Sequence, residues 1–415
     1  MTAAKSARMA AVDAQFYWMS AKVPNDEFLL YAFEGVPTDF DRVVDGLRDR
    51  ARACHALTVR VDDGSPWTYP HWVPTAVEPT AVLRHQLDDN SWGGCLDAVV
   101  RLADDQLDMR HTPWRLHLFA PVRGLPDGTE QATVAVLQAP HALADGHRGA
   151  ALAGWLFGRN APVPDRTAAS GFLPWRAVEA ARAHRRLARD ISAGLVRPSP
   201  GPRPPLSTNT RPAGARALRT LVRHRSQLRG PTVTVAVLAA VSGALTGLLG
   251  DAATSLTAEV PMAKPGVPQG HNHFSNVTIG LYPELGEPDR LERIAADLAD
   301  ARRRAQHPAV RAADRAFATV PAPLLRWGIG HFDPDVQLSE VAGNTVVSSV
   351  YRGPGDLRFG DAPVLLTAGF PSLSPAMGLT HGVHGIADTI AISVNASESA
   401  IGDVDDYVAR LDAAL

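Results

Sequence analysis

The sequence predicts an α/β fold built as two lobes, and three observations support this class. Strand-like and helix-like segments alternate along the chain instead of forming one block of each kind. The length of 415 residues corresponds to about two average domains. A stretch with six prolines, residues 198–214, has the composition of a linker. We therefore expect an N-terminal lobe (1–197), this Pro-rich linker (198–214) and a C-terminal lobe (215–415).

Composition excludes several classes of protein. Hydrophobic residues make up 45% of the chain and charged residues 20%, which rules out a disordered protein. The formal net charge of −2 gives no sign of a nucleic-acid binder. Cys54 and Cys95 are too few for a disulfide framework, and the first 20 residues have no long apolar core of a signal peptide. We expect a cytoplasmic protein, with peripheral contact with a membrane or lipid droplet left open.

The N-terminal lobe shows both periodicities. Val43, Val44 and Leu47 follow helical spacing, whereas Leu116 and Leu118 alternate with polar residues as in a strand. The predicted helices are 40–56, 149–157 and 175–196, and the predicted strands are 58–61, 114–120 and 133–138. The last two strands flank a turn and are expected to pair as a hairpin. The helix over 175–196 carries five arginines, which are expected on a solvated face or on an anion-binding surface.

The C-terminal lobe repeats this mixture. The predicted helices are 233–249, 288–305 and 403–415, and the predicted strands are 254–260, 276–282, 346–350, 364–367 and 386–393. Residues 232–250 lack charge over a length close to that of a membrane span. Because Gly, Ser and Thr dilute this segment and no Trp or Tyr flanks it, a buried core helix is the favoured interpretation.

One local motif has the residues for chemistry. The strand over 133–138 leads into Pro140-His141, then Asp145-Gly146, and then a helix. Proline lacks an N–H and ends the strand ladder, so His141 is expected at an exposed strand end, where it could act as a general base. The spacing fits equally well a turn histidine next to an aspartate that caps the helix.

Residues 140–146 also resemble the H-H-x-x-x-D-G motif of the CoA-dependent acyltransferase superfamily, with Pro140 in place of the first histidine. Other segments, in order along the chain, are similar to the bacterial wax ester synthase/diacylglycerol acyltransferase family. They are 12–16 (an Asp-x-x-Phe motif), 107–114, 237–245, Asn276 to Pro283, 347–355 and 370–375.

The resemblance implies two chloramphenicol-acetyltransferase-like lobes with an active-site tunnel between them. His141 would take the proton of a hydroxyl that attacks an acyl thioester. Asp145 would pair with an arginine and hold the loop, and Gly146 would keep the channel open. The implied substrate-binding residues are Pro140, His147, Ser275, Asn276, Ser348 and Ser349, of which the last four are candidate oxyanion donors.

The expected donor is acyl-CoA, used as a co-substrate without any further cofactor, and the expected acceptor is a small-molecule or lipid hydroxyl. The CoA phosphates would meet arginines of the basic helix or of residues 301–304. Thr234-Val235 stands where the family has Asn-Asp, and Ser349 where it has Asn. Wax-ester or triacylglycerol synthesis and O-acylation in specialised metabolism therefore both stay open. So do transfer from a carrier-protein thioester to a hydroxyl or amine, and a non-catalytic homologue.

The remaining motifs predict no other chemistry. The pairs His271/His273 and His381/His384 lack a third ligand at a recognisable spacing, so no metal site is expected. Both pairs are expected in Gly-containing loops. The G-x-S-x-G, Walker A and G-x-G-x-x-G signatures of hydrolases, nucleotide triphosphatases and dinucleotide enzymes are missing from the sequence.

Overall fold

The computed structural model describes residues 6–164, 166 and 171–415. The strands are β1 (Ala7–Arg8), β2 (Asp26–Glu34), β3 (Val59–Asp62), β4 (His71–Pro74), β5 (Val82–His85), β6 (Arg115–Arg123), β7 (Gln131–Pro140), β8 (Arg216–His224), β9 (Thr257–Ala263), β10 (Phe274–Gly280), β11 (Thr345–Tyr351), β12 (Arg358–Phe359), β13 (Ala362–Gly369), β14 (Leu379–Ile386) and β15 (Thr389–Ser397). The helices are α1 (Ala11–Met19), α2 (Phe40–Ala53), α3 (Trp92–Leu102), α4 (Gly146–Leu156), α5 (Leu173–Ser192), α6 (Val233–Leu249), α7 (Glu287–Gln306), α8 (Pro308–Phe317), α9 (Ala322–Gly330), α10 (Glu398–Ile401) and α11 (Val404–Ala414).

Two six-stranded sheets form the frame of the two lobes. The N-terminal sheet has the order β12-β13-β2-β7-β6-β5, and the C-terminal sheet has the order β10-β9-β11-β14-β15-β8. Helices pack on both, which confirms the predicted α/β class with two lobes. A third apolar cluster joins the lobes, because side chains of β2, β7 and α3 pack with Leu218 of β8 and Ala391 of β15.

The sheets do not follow the halves of the sequence. β13 comes from the C-terminal half but pairs antiparallel with β2 of the N-terminal sheet. Within the Pro-rich linker, Asn209 is buried and donates hydrogen bonds to the carbonyls of Gly343 and Ala376. The linker thus contacts the C-terminal lobe. The division of the chain into two lobes on either side of residues 198–214 stays a prediction.

Several predicted elements form with small shifts, including the β6–β7 hairpin, α2, α5, α6, α7 and α11. The predicted strand over 386–393 is wrong at its start. Ile386 ends β14, and β15 begins at Thr389 after a turn at Ala387, whose φ of 47° is incompatible with a strand.

The apolar helix α6 is a core helix, as predicted. A segment that includes it, Val233–Ala252, is the one described helix that is long and apolar enough to cross a membrane, and 56% of its most apolar window is buried. Its buried residues pack with β9, β14 and α11 in the C-terminal core.

Candidate active site

His141 lies where the two lobes meet, directly after the last residue of β7. Pro140 is the final residue in the ladder between β7 and β2, where it is paired with Asp26. The chain then turns, and Asp145 caps α4 by accepting a hydrogen bond from Arg148 N–H at 2.9 Å. Strand, turn and capped helix are the local structure that the motif predicted, and they hold the imidazole at the lobe interface.

Three side chains fix the His141 ring. The ring stacks on Phe16 at a centroid distance of 4.2 Å. Its Nδ1 is 2.7 Å from Asn272 Oδ1 and its Nε2 is 3.4 Å from Glu27 Oε1. Asn272 comes from the C-terminal half of the sequence, 131 residues away. Both halves therefore build the surroundings of this one side chain.

The orientation of Asn272 decides the tautomer of His141. Its Nδ2 donates to Asp13 Oδ1 at 3.1 Å and to the His141 carbonyl at 2.8 Å, so its Oδ1 must be the atom that faces the ring. An amide oxygen only accepts, and His141 Nδ1 therefore carries the hydrogen. In the neutral ring the lone pair then lies on Nε2, which is the arrangement of a general base.

Asp13 anchors the loop that presents Asn272. This carboxylate is fully buried and accepts hydrogen bonds from the backbone N–H groups of His271 and Asn272. Burial raises the pKa of Asp13 to about 6. A Cβ on Gly270 would stand 2.6 Å from Val12 Cγ1, so only glycine allows α1 to approach this closely. The Asp-x-x-Phe motif thus supplies a loop anchor, Asp13, and a stacking partner, Phe16.

Asp145 holds the same loop from its other side. Both of its carboxylate oxygens bind backbone amides, and the arginine partner that the resemblance implies stays a prediction. Besides Arg148 N–H, Asp145 accepts His273 N–H at 2.9 Å. The physical reason is that its capping position points the second oxygen at the loop 271–273. These two contacts tie the start of α4 to the loop.

A cavity of about 320 Å³ opens beside His141 between the lobes. Seven of the predicted site residues line it: His141, Asp145, Gly146, His147, Asn276, Ser348 and Ser349. A Cβ on Gly146 would lie 3.2 Å from Val350 Cγ2, which agrees with the expected need for a small residue there.

Two predicted substrate-binding residues do not line this cavity. Pro140 is buried in the strand ladder. Ser275 alternates with Phe274 and Asn276 along β10, and these two are the residues that face the cavity, so Ser275 points to the opposite side. Both residues therefore lie outside this cavity, and their contact with a substrate stays a prediction.

The cavity also contains three groups that can carry charge. Glu27 lies at the start of β2, and burial raises the pKa of its carboxyl group. Arg352 is 3% exposed and donates to the carbonyls of Leu30 and Ala368. Burial and the nearby Arg352 lower the pKa of His384 well below its usual value, so this imidazole is neutral.

On the other side of the 271–273 loop lies a larger cleft of about 770 Å³. It adjoins the active site, because Asn272 and His273 line it. Five cationic side chains and one acidic side chain border it: Arg8, Arg166, Lys264, Arg311, Arg315 and Asp314. The arginines of residues 301–304, which were expected to meet the CoA phosphates, do not border this cleft. Arg304, for example, donates to the carbonyls of Arg197 and Pro198. Arg182, Arg186 and Arg189 of α5 line a separate surface pocket.

Of the histidines considered as metal ligands, His381 has a structural partner on each ring nitrogen. His381 is buried, with Nδ1 2.9 Å from Thr345 Oγ1 and Nε2 2.8 Å from Tyr407 Oη. It lies with His384 within β14, not in a loop as predicted. Within residues 6–164, 166 and 171–415, no cluster of three or more His, Cys, Asp or Glu side chains is placed to hold a metal.

Sequence reasoning missed Asn272 and Glu27 as site residues. Asn272 stood between two histidines that were considered only as metal ligands. Glu27 lies in β2, whose residues are mostly buried, so this strand shows no alternation. The Asp-x-x-Phe motif did give a signal for Asp13 and Phe16, although not for what they contact.

Comparison with known proteins agrees with the resemblance that the sequence motifs indicated. Residues 271–415 match the family model of the WS/DGAT C-terminal domain. A wax ester synthase/diacylglycerol acyltransferase from Marinobacter aquaeolei VT8 superposes with a TM-score of 0.63 at 17% identity, over 98% of each chain. The chain has the CoA-dependent acyltransferase fold. Among curated proteins no sequence matches.

Condensation domains share this acyltransferase fold. A starter condensation domain of rhizomide synthetase, a substituted form in complex with C8-CoA and Leu-SNAC, has a TM-score of 0.61 at 13% identity, over 98% of this chain and 92% of that one. The first condensation domain of the CDA synthetase has a TM-score of 0.60 at 13% identity, over 99% and 94%. The match to the WS/DGAT C-terminal domain begins at His271, the first residue of the loop that holds His141.

Proposed function

We propose that this protein is an acyltransferase that moves an acyl group from acyl-CoA to a hydroxyl acceptor, with His141 as the general base. The observation that carries the proposal is the position of His141, whose Nδ1 is held by Asn272 and whose Nε2 faces a cavity between the lobes. The match to the WS/DGAT C-terminal domain supports acyl transfer as the reaction class.

The reaction then needs no covalent acyl-enzyme. Nε2 of His141 takes the acceptor's hydroxyl proton while the hydroxyl oxygen attacks the thioester carbon. The tetrahedral intermediate collapses, the C–S bond breaks, and the imidazolium returns its proton to the departing thiolate. Ser348 and Ser349 are candidate oxyanion donors. Because Thr234 Oγ1 donates to Ser349 Oγ at 2.9 Å, the hydroxyl hydrogen of Ser349 is available for an oxyanion.

Glu27 adjusts the basicity of His141 in this scheme. An ionised Glu27 carboxylate repels the lone pair on Nε2 of His141, which lies 3.4 Å away. The same carboxylate attracts Nε2 once this nitrogen has taken up a proton. This contact favours the transition state over the ground state, which is the condition for faster catalysis. The raised pKa of Glu27 means that this effect is lost as the pH falls through that pKa.

We expect Glu27→Gln to lower kcat by about tenfold at pH values where Glu27 is ionised in the wild type, and to remove the decline of kcat that occurs as the pH falls through the raised pKa of Glu27. The measurement is a pH profile of kcat for both proteins. Glu34→Gln, at the exposed far end of the same strand, is the matched control and should leave the profile unchanged. An acid limb that is identical in Glu27→Gln and wild type would contradict this role.

The cationic cleft supports CoA as the donor. Its five cations border a space next to the 271–273 loop, and CoA carries phosphates that Lys and Arg bind well. We expect the double variant Lys264→Gln/Arg311→Gln to raise KM for acyl-CoA by about tenfold, as loss of two partly screened charge contacts would.

Acyl-pantetheine, which lacks the nucleotide, should show no such change in KM. Arg42→Gln, an exposed arginine of α2 away from the cleft, serves as the control. Equal KM changes for acyl-CoA and acyl-pantetheine would show that these cations do not bind the nucleotide portion. The donor would then have to be sought among carrier-protein thioesters.

The proposed function itself is tested by thiol release. Acyl-CoAs of several chain lengths would be incubated with alcohols, diacylglycerol and amines, and the acyl product identified by mass spectrometry. Acceptor-dependent release with an ester product supports the proposal. Release with amide products only would exclude a hydroxyl acceptor. No release from acyl-CoA or from carrier-protein thioesters would exclude catalysis by this protein under the proposed scheme.

A further inference from the structure

A second, smaller cavity lies next to the catalytic one. Its volume is about 80 Å³, and its lining includes residues of α3, the start of β2 and the strands β8 and β15. Phe28, Phe370 and Ser372 line both cavities, so these three side chains form their common wall. By the usual measure of internal cavities, this volume can hold several non-hydrogen atoms.

Asp26 gives this side pocket its chemistry. It is 5% exposed, and its Oδ2 accepts hydrogen bonds from Leu107 N–H at 2.9 Å and Gln138 Nε2 at 2.7 Å. Its Oδ1 is buried and has no hydrogen-bond partner. An unpartnered buried carboxylate oxygen is costly for the folded protein, so it indicates a missing donor. Burial raises the pKa of Asp26 to about 6, as expected for an incompletely satisfied carboxyl group.

The two amide side chains of the side pocket use their nitrogens for carbonyl groups elsewhere in the protein. Asn395 uses its Nδ2 to donate to the Pro371 carbonyl, and Gln106 uses its Nε2 to donate to the Ser20 carbonyl. The amide oxygens remain as their other polar atoms. Arg216, which also lines the pocket, is 3.4 Å from Asp104 in an ion pair. The polar atom of this pocket that lacks a partner is Asp26 Oδ1, which can only accept from a hydrogen-bond donor when the carboxyl group is ionised.

The position of Asp26 connects this pocket to the reacting atoms. Asp26 and Glu27 are consecutive in β2, so their side chains point to opposite faces of the strand. Glu27 faces Nε2 of His141, and Asp26 faces the side pocket. A ligand that contacted both residues would have to pass between the apolar rings of Phe28 and Phe370. It must be polar at both ends and apolar in its middle.

We propose that the side pocket is a subsite for a second polar group of the acceptor, a hydroxyl or a primary ammonium that donates a hydrogen bond to Asp26. The inference rests on the proposed function, because it takes His141 as the place where the acceptor reacts. The acceptor class is thus a diol or an amino alcohol with a short apolar spacer, instead of a simple alcohol.

The test compares three acceptors of one length: hexan-1-ol, hexane-1,6-diol and 6-aminohexan-1-ol. In wild type, kcat/KM for the two bifunctional acceptors should exceed that for hexan-1-ol by about tenfold or more, since a hydrogen bond to a charged group supplies that difference. The preference is a ratio within one protein, so it does not depend on how much of a variant folds.

Two variants probe the pocket independently. Asp26→Asn should abolish the preference for the ammonium, because the two donors at Oδ2 hold the amide oxygen and leave the new amide NH2 facing the pocket, whereas a hydroxyl can accept a hydrogen bond from that NH2. Ala103→Leu fills the pocket from α3 without changing the hydrogen bonds of Asp26, and it should bring both ratios to about one. Ala53→Leu, an exposed alanine of α2, is the matched control and should keep the wild-type ratios.

Failure of this inference can be told apart from failure of the proposed function. Turnover of all three acceptors with equal kcat/KM would overturn the subsite and leave acyl transfer standing. If no acceptor turns over, binding of 6-aminohexan-1-ol is followed by saturation-transfer NMR in wild type and Ala103→Leu. Binding that Ala103→Leu removes would support the subsite alone, and binding unaffected by that substitution, or none at all, would overturn it.

Discussion

Replacing His141 with alanine should lower acceptor-dependent thiol release by about 10²- to 10⁴-fold, the range by which a positioned general base accelerates proton transfer. The expected loss is in kcat and not in KM. The imidazole accepts the proton in the reaction step, whereas the substrates bind to other residues of the cavity and the cleft. Without Nε2, the hydroxyl would have to attack in its protonated form or transfer its proton to water. The rate constants are to be measured at saturating acyl-CoA with the best acceptor of the panel.

His111→Ala is the matched control for this experiment, since His111 is exposed and lies in the segment before β6. It should keep the wild-type rate. His141 itself lies at the lobe interface, where it is stacked between Phe16 and Phe274, so a thermal melt of His141→Ala is needed to show that the protein remains folded. A folded His141→Ala protein with the wild-type kcat would refute the general-base role.

The parts of the fold that the sequence predicted are those encoded by short-range patterns. Alternation along β6 and β7 and the turn between them were sufficient for the hairpin. The strands β2 and β14 were missed for a physical reason. Both are central in their sheets and almost entirely buried, so their residues show no polar face that would reveal a strand.

The candidate site divides in the same way. His141, Asp145 and Gly146 fall within a few residues of one another and could be found as a motif. Their partners could not, because the partner of Asp145 in the loop is 128 residues away and that of His141 is 131 residues away. Register and loop placement decide such contacts. Ser275 is an example: it is one residue from the cavity-facing Asn276 along β10, and this single step places its side chain on the opposite face of the strand.

Asn272→Ala is the second substitution from which we expect a large effect. Asn272 is a positioning residue: its Oδ1 accepts the hydrogen of His141 Nδ1 at 2.7 Å, and Asp13 in turn orients its amide. Without Asn272, the imidazole can rotate and can carry its hydrogen on Nε2, where it cannot act as a base. Loss of the correct tautomer costs up to about 10⁴-fold in a triad enzyme, and we expect about 10²-fold here because Phe16 still stacks on the ring.

If Asn272 positions His141, its loss should affect kcat and KM differently. In Asn272→Ala, kcat should fall while KM for acyl-CoA changes little, because the cations of the cleft are untouched. Acetamide has the same amide group as the deleted side chain and can enter from the cleft that Asn272 borders, so millimolar acetamide should restore part of kcat. Asn160→Ala, an exposed asparagine outside the cavity, should neither lose activity nor respond to acetamide. A loss that appears only in KM would show that Asn272 serves substrate binding and not the orientation of His141.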